Sequence, residues 1–302
     1  MKPKLITLLF LIISIKSFSQ WLDPQSIQAT VLIEKIENQN FITHGTGILI
    51  YNYENPSEGI VVTCAHLVKN KKELSVRVKP DSTFLEIFKT SGQNNVFFDN
   101  ALVIGNTIRL IADLSKENII INEELDIAAF RLKKPPVFQR ADTSGTQISL
   151  SKLRWIPESR IDYKKDLSLG DEVYFIGFPL GYGATESVEP IVRSGSIAWL
   201  PEKESFFLLD AFSYGGNSGS PIFRKTLISA IPGDLNWTQI KFIGMVVGHK
   251  SIKMENILHQ PNPDELKFEK SDIDLNIGLA KCVYTDDIMK IVNELTNKKK
   301  KD

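Results

Sequence analysis

The sequence predicts an all-β fold, a barrel or a sandwich. Three observations carry that reading. Short runs rich in Val, Ile and Phe recur along nearly the whole chain. Most are bounded by Gly, Pro, Asn or Asp, the residues that turn a chain. Their spacing is near regular and only one clear helical pattern interrupts them, which suits barrels and sandwiches rather than alternating α/β units.

The first segment reads as an address label. Lys2 and Lys4 precede an apolar run, Leu5–Ile15, and Ser17-Phe18-Ser19 supplies small residues for a cut before Gln20. The run falls short of the ~18–20 residues that span a bilayer, so residues 1–19 are expected to be a cleaved signal peptide of an exported protein. No later stretch is apolar for long enough to span a membrane.

The strands follow in order. They are expected at Val31–Glu37, Gly45–Tyr51, Gly59–Thr63, Leu74–Lys79, Ala101–Ile104, Thr107–Leu114 and Ile127–Leu132, and then at Glu172–Gly177, Ile191–Trp199, Phe206–Ala211, Pro221–Phe223 and Phe242–Val247. Asp81–Asn100, with Ser-Gly-Gln-Asn-Asn inside it, reads as a surface loop. Lys133–Asp166, with Pro135, Pro136 and Pro157, reads as a connection between two β halves. One helix closes the chain. Thr285 or Asp286 can cap it, and Ile288, Met289, Val292 and Leu295 share an apolar face. The last lysines form a solvated tail that suits the negative end of the helix dipole. The expected division is therefore 1–19 signal, 20–140 first β unit, 141–166 connection, 167–297 second β unit with its helix, and 298–302 tail.

Composition excludes several classes. Lys and Arg total 36 and Asp and Glu total 36, so the electrostatic footprint of a nucleic-acid binder is missing. A 302-residue chain with 42% hydrophobic and 24% charged residues can bury a core without staples. Its two cysteines, Cys64 and Cys282, do not make a disulfide scaffold. Separate buried thiols are favoured over a bridge, because sequence cannot bring their Cα atoms within disulfide reach. The four histidines include no H-E-x-x-H pair and no Cys/His spacing resembles a zinc site. No metal and no cofactor are expected.

Three segments carry chemistry together. Val61-Val62-Thr63-Cys64-Ala65-His66 is an apolar strand ending in a histidine. Leu125-Asp126-Ile127-Ala128 opens another strand with a carboxylate. Tyr214-Gly215-Gly216-Asn217-Ser218-Gly219-Ser220-Pro221 folds a serine between glycines ahead of a third. Glycines there let backbone N–H groups converge beside a serine hydroxyl, as an oxyanion hole requires. The chain order His66, Asp126, Ser218 is opposite to the α/β-hydrolase order.

These segments resemble those of bacterial trypsin-like serine proteases, the HtrA type and the glutamyl endopeptidases in particular. Gly45-Thr46-Gly47-Ile48, Gly170-Asp171-Glu172-Val173 through Gly177-Phe178-Pro179-Leu180-Gly181, Ser194-Gly195-Ser196, Phe242-Ile243-Gly244 and Ile277-Gly278-Leu279-Ala280 are similar to that family's motifs in the same order. The resemblance implies two antiparallel β-barrels, as in chymotrypsin, with a C-terminal helix. It also implies a serine endopeptidase acting on polypeptides. Catalysis would fall to His66, Asp126 and Ser218, and the oxyanion hole to the backbone of Gly216 and Ser218. Substrate contacts would come from Phe212, Ser213, Val246, Val247, Gly248 and Ala280. Phe212, at the floor of the specificity pocket, is not acidic, and Val246 stands where glutamyl endopeptidases carry histidine, so small or apolar P1 residues are expected. Asn217 replaces the aspartate that digestive trypsins pair with a new N-terminus, so activation by N-terminal insertion is not expected. With few residues after Leu295, no PDZ domain is expected. Two alternatives remain open: a catalytically silent binding module on the same fold, and an esterase.

Overall fold

The computed structural model describes residues 24–51, 59–79, 95–98, 101–104, 107–132, 137–139, 145–147, 153–184, 188–228, 237–255 and 272–298. The signal-peptide reading of residues 1–19 and most of the 81–100 reading lie outside them.

A short helix, α1 (Pro24–Ala29), leads into the first β unit. Its strands are β1 (Thr30–Glu37), β2 (Asn40–Tyr51), β3 (Gly59–Thr63), β4 (Glu73–Val78), β5 (Asn95–Phe98), β6 (Ala101–Ile104), β7 (Thr107–Asp113), β8 (Ile119–Asn122) and β9 (Ile127–Leu132), with the one-turn helix α2 (Ala65–Val68) after β3. They form one curled nine-stranded sheet in the order β5-β6-β7-β4-β1-β2-β3-β9-β8. Strands β3 and β9 are buried along their whole length, as the near-continuous apolar runs Gly-Ile-Val-Val-Thr and Ile-Ala-Ala-Phe require. Every pairing in this sheet is antiparallel.

The second unit is a closed barrel. Strands β12 (Glu172–Gly177), β13 (Ile191–Trp199), β14 (Phe206–Asp210), β15 (Pro221–Ile228), β16 (Trp237–Glu255) and β17 (Asp272–Tyr284) pair in the order β12-β13-β14-β17-β16-β15 and back to β12. Phe175, Ile197, Phe207, Leu209, Ile222, Ile243 and Tyr284 fill it. Closure leaves no unpaired edge inside the barrel. The expected double barrel is thus one closed barrel and one curled, open sheet.

Two expectations need correction. The reading of 81–100 as loop misses β5, whose Asn95–Phe98 pair antiparallel with Ala101–Ile104. The connection 133–166 carries a small hairpin, β10 (Val137–Gln139) with β11 (Gly145–Gln147), and single 3₁₀ turns at Glu158–Arg160 and Lys164–Asp166. That connection also stitches the units. Ile156 bridges to Ile50 on the first, and Ile161 to Phe242 on the second.

The closing helix, α3 (Thr285–Lys298), buries Ile288, Ile291, Val292 and Leu295. It packs back on the first unit, where Arg131 donates to the Leu295 carbonyl and Lys298 Nζ to the Lys116 carbonyl at 2.7 Å. Thr285 and Asp286 both serve its start by tying it to the connection, on the Asp162 carbonyl and the Lys164 N–H respectively. No described helix is long and apolar enough to cross a membrane.

Beneath the first sheet lies a buried ion cluster. Glu34 takes a fork from Arg109 at 2.7 and 3.0 Å and a hydroxyl hydrogen bond from Ser75 at 2.8 Å, with Arg77 3.8 Å away. Phe41 covers the Arg109 guanidinium at 3.8 Å.

Candidate active site

The end of β3 and the start of β9 are held together at three points. Asp126 stands just before β9 at φ +55°, a left-handed conformation that Asp tolerates. Its carbonyl accepts the Ala65 N–H at 3.1 Å. Its Oδ1 accepts the His66 N–H at 2.9 Å, and its Oδ2 lies 2.7 Å from His66 Nδ1. A carboxylate only accepts, so Nδ1 carries the proton and Nε2 is left as the basic nitrogen. Both side chains keep solvent access, 47% for His66 and 28% for Asp126.

The serine turn sits between β14 and β15 and is pinned through its carbonyls. Gly215 O accepts from Leu180 N–H at 2.6 Å, Asn217 O from Ser220 N–H at 2.9 Å, and Ser218 O from Thr46 N–H at 2.9 Å. Gly216 O accepts from the Thr46 hydroxyl at 2.7 Å. Gly216 and Gly219 have φ of +90° and +87°. A Cβ on Gly216 would lie 2.2 Å from the Phe178 carbonyl oxygen, and one on Gly219 1.8 Å from that of Thr46. Only glycine fits either place. In a trans peptide the N–H points away from the C=O of the same unit. The Gly216 and Ser218 N–H groups accordingly turn away from these anchors, and neither donates to any acceptor among the described residues.

One carbonyl joins the serine turn to the histidine strand. Val246 O accepts Gly219 N–H at 2.8 Å and lies 3.4 Å from the Cys64 thiol, two residues before His66. Cys64 Sγ, His66 and Asp126 bring sulfur, nitrogen and oxygen within 4.8 Å of one another. The nitrogen and carboxylate are already engaged with each other. Burial, with the Asp126 charge close by, pushes the Cys64 thiol well above its ordinary range and keeps it protonated. Cys64 and Cys282 are separate free thiols, although Cys282 pairs with Val246 across β16 and β17.

The expected substrate contacts have mixed settings. Ser213, Val246, Val247 and Ala280 are buried, while Phe212 is 48% exposed. The Phe212 ring stacks on Tyr214 at 6.4 Å and lies over Gly278. Asn276, which sequence reading did not single out, ties the backbone at Ser213 to that at Gly278. Its Nδ2 donates to Ser213 O at 2.6 Å and its Oδ1 accepts Gly278 N–H at 2.9 Å. Leu180 and the Thr46 side chain were also missed as site residues. Asn217 is buried, and neither atom of its amide group has a partner among the described residues.

A closed six-stranded barrel beside a curled sheet, with His, Asp and Ser segments meeting between them, defines a chymotrypsin-like double-barrel protein. The chain belongs to the trypsin-like peptidase domain family, whose profile matches residues 45–227. Among solved structures it is similar to an HtrA-type protease, AlgW, with a tripeptide, at 15% identity and TM-score 0.48 over 90% of this chain. It spans only 61% of the length of that protein. It is also similar to the apo protease domain of MamO from Magnetospirillum magneticum, at 13% identity and TM-score 0.47, covering 89% of this chain and 98% of that one. No curated protein matches it in sequence.

Proposed function

We propose that this trypsin-like protease is an exported serine endopeptidase that cleaves after small or apolar residues. The observation that supports it most is the 2.7 Å His66–Asp126 contact beside a serine turn whose Gly216 and Ser218 N–H groups have no acceptor among the described residues.

The chemistry follows the worked Ser-His-Asp template. His66 Nε2 takes the Ser218 hydroxyl proton as Oγ attacks the scissile carbonyl. Asp126 holds the ring in the needed tautomer and stabilises the imidazolium that forms. The Gly216 and Ser218 N–H groups receive the oxyanion. The imidazolium then protonates the leaving amine, and water, deprotonated by His66, hydrolyses the acyl-enzyme. Exposed Phe212 and Tyr214 instead favour a silent binding module, since a flat aromatic surface suits docking as well as a specificity wall.

The deciding experiment compares wild type with Ser218→Ala on fluorescent casein, a P1-scanned peptide library and a fluorophosphonate probe. Loss of the nucleophile is expected to cost on the order of 10⁶ in kcat. A wild type that neither cleaves nor reacts with the probe refutes the enzyme. Mass analysis of the N-terminus of the exported protein tests a cut before Gln20.

A further inference from the structure

We propose that Thr46 is a positioning residue that holds the oxyanion hole open from the opposite β unit. The proposal rests on the catalytic reading above, because it assigns the Gly216 and Ser218 N–H groups as the hole.

Thr46 lies in β2 of the first unit and is fully buried. All three of its polar groups are committed, and two of them, the hydroxyl and the N–H, bond the serine turn. Its hydroxyl accepts the Phe178 N–H at 3.2 Å. An amide nitrogen can only donate, so the single hydroxyl proton is free to point at Gly216 O, 2.7 Å away. Its N–H donates to Ser218 O at 2.9 Å. Its carbonyl accepts the Thr63 hydroxyl at 2.6 Å, which fixes β2 against β3, the strand that leads into the His66 turn.

The hydroxyl acts on one peptide unit. The Gly216–Asn217 unit is held at its carbonyl by Thr46 and at its N–H by Tyr214 O, 3.0 Å from Asn217 N. The preceding unit is held at its carbonyl by Leu180. With glycine at 215 and 216, backbone sterics supply little resistance to a peptide flip. Turning the Gly215–Gly216 unit over would aim a carbonyl where the Gly216 N–H now points, and the hole would lose a donor. The Thr46 hydroxyl fixes the adjoining Gly216–Asn217 unit, and by sharing its oxygen with Phe178 N–H it couples the serine turn to the 178–181 segment, whose Leu180 N–H holds the unit that would flip. Without the hydroxyl, Gly216 O and Phe178 N–H would both lack a buried partner.

The test uses Thr46→Val, which keeps the shape and removes the hydroxyl, and Thr46→Ser, which keeps the hydroxyl. Direct loss of one oxyanion donor costs roughly 10²–10³ in rate, so an indirect loosening in Thr46→Val is expected to lower kcat by about 10–100-fold. KM should stay near wild type, and affinity for a peptide boronate should fall in step with kcat/KM. Thr46→Ser should restore most of the loss. Equal loss in both variants, or a raised KM with kcat intact, overturns the proposal. A second measurement does not depend on turnover. In a Ser218→Ala background, the Gly216 and Asn217 amide resonances should move in Thr46→Val and stay in Thr46→Ser. If they do not move, Thr46 does not hold this peptide. Thr46→Ala takes the same tests should Thr46→Val fail to fold. A wild type that neither cleaves nor labels refutes the catalytic reading alone, and the resonances still decide Thr46.

Discussion

Gly219→Ala is the most direct probe of how the serine turn is built. The added Cβ would lie 1.8 Å from Thr46 O and 2.6 Å from the Thr63 hydroxyl, and the residue would have to hold φ +87°. Holding an L-residue there costs about 1–3 kcal/mol. Relieving the overlap pushes backbone against backbone, which costs about 1–3 kcal/mol more. The yielding groups are Thr46 O and Gly219 N, and the hydrogen bonds they make to Thr63 and Val246 are worth about 1 kcal/mol each. The expected loss of at least about 3 kcal/mol is a large part of the ~5–15 kcal/mol that holds a domain together. Four residues earlier, Gly215 has no heavy atom within 4 Å of a Cβ and no left-handed φ. Gly215→Ala should therefore unfold within about 0.5 kcal/mol of wild type. Urea unfolding of the two variants measures this. Turnover by Gly219→Ala should fall on the order of 10²-fold even where the protein stays folded, because Ser218 moves by a sizeable fraction of an ångström. A Gly219→Ala protein with the wild-type midpoint and turnover would refute the packing of this turn against β2.

Glu34→Gln removes the carboxylate charge that faces buried Arg109 and Arg77, and is expected to cost about 3–5 kcal/mol in urea unfolding. Cys64 and Cys282 are pushed well above the ordinary thiol range by burial, so Ellman's reagent should find no reactive thiol in the native protein and both after unfolding. His44 is held below its ordinary 6.5 by burial first and by Lys71 and Lys35 next, so the unfolded chain binds the proton more readily. Its contribution to stability is complete above pH 6.5 and declines as the pH falls toward the lowered folded value, and His44→Gln should flatten that part of the pH–stability curve.

The triad candidates were legible because each sits where an apolar strand meets small or turn-forming residues, a local pattern. The strands were legible for the same reason wherever the apolar run was near-continuous, as in β3 and β9. Strand β16 was read only at its apolar centre, Phe242–Val247. Lys241, His249, Lys250 and Lys253 break the apolar run, yet backbone pairing with β15 and β17 carries the strand from Trp237 to Glu255. Strand β5 was lost because Ser-Gly-Gln-Asn-Asn before it signals a turn more strongly than Val-Phe-Phe signals a strand. The anchors of the site were beyond reach for a different reason. Thr46 and Gly216 lie 170 residues apart, and Cys64 and Val246 lie 182 apart. No local pattern says which buried threonine turns its hydroxyl on which carbonyl.

Those long-range bonds also decide what kind of object the site is. His66 and Asp126 are held to each other within the first unit, and Ser218 is carried by the second. Among the described residues, the two parts are joined by bonds that cross between the units: Thr46 N–H to Ser218 O, the Thr46 hydroxyl to Gly216 O, Phe178 N–H to the Thr46 hydroxyl, and the Cys64 thiol to Val246 O. Each has a fully buried residue, Thr46 or Cys64, at one end, where an unmade hydrogen bond costs more than a made one returns. A small rotation of one unit against the other would therefore leave several groups unsatisfied at once. The arrangement resists sliding, and it concentrates that resistance beside the serine. The connection and the closing helix add apolar packing across the same boundary, but packing alone is non-directional. Directional bonds set the register to fractions of an ångström, which is the tolerance that the proposed proton transfer between Ser218 and His66 demands.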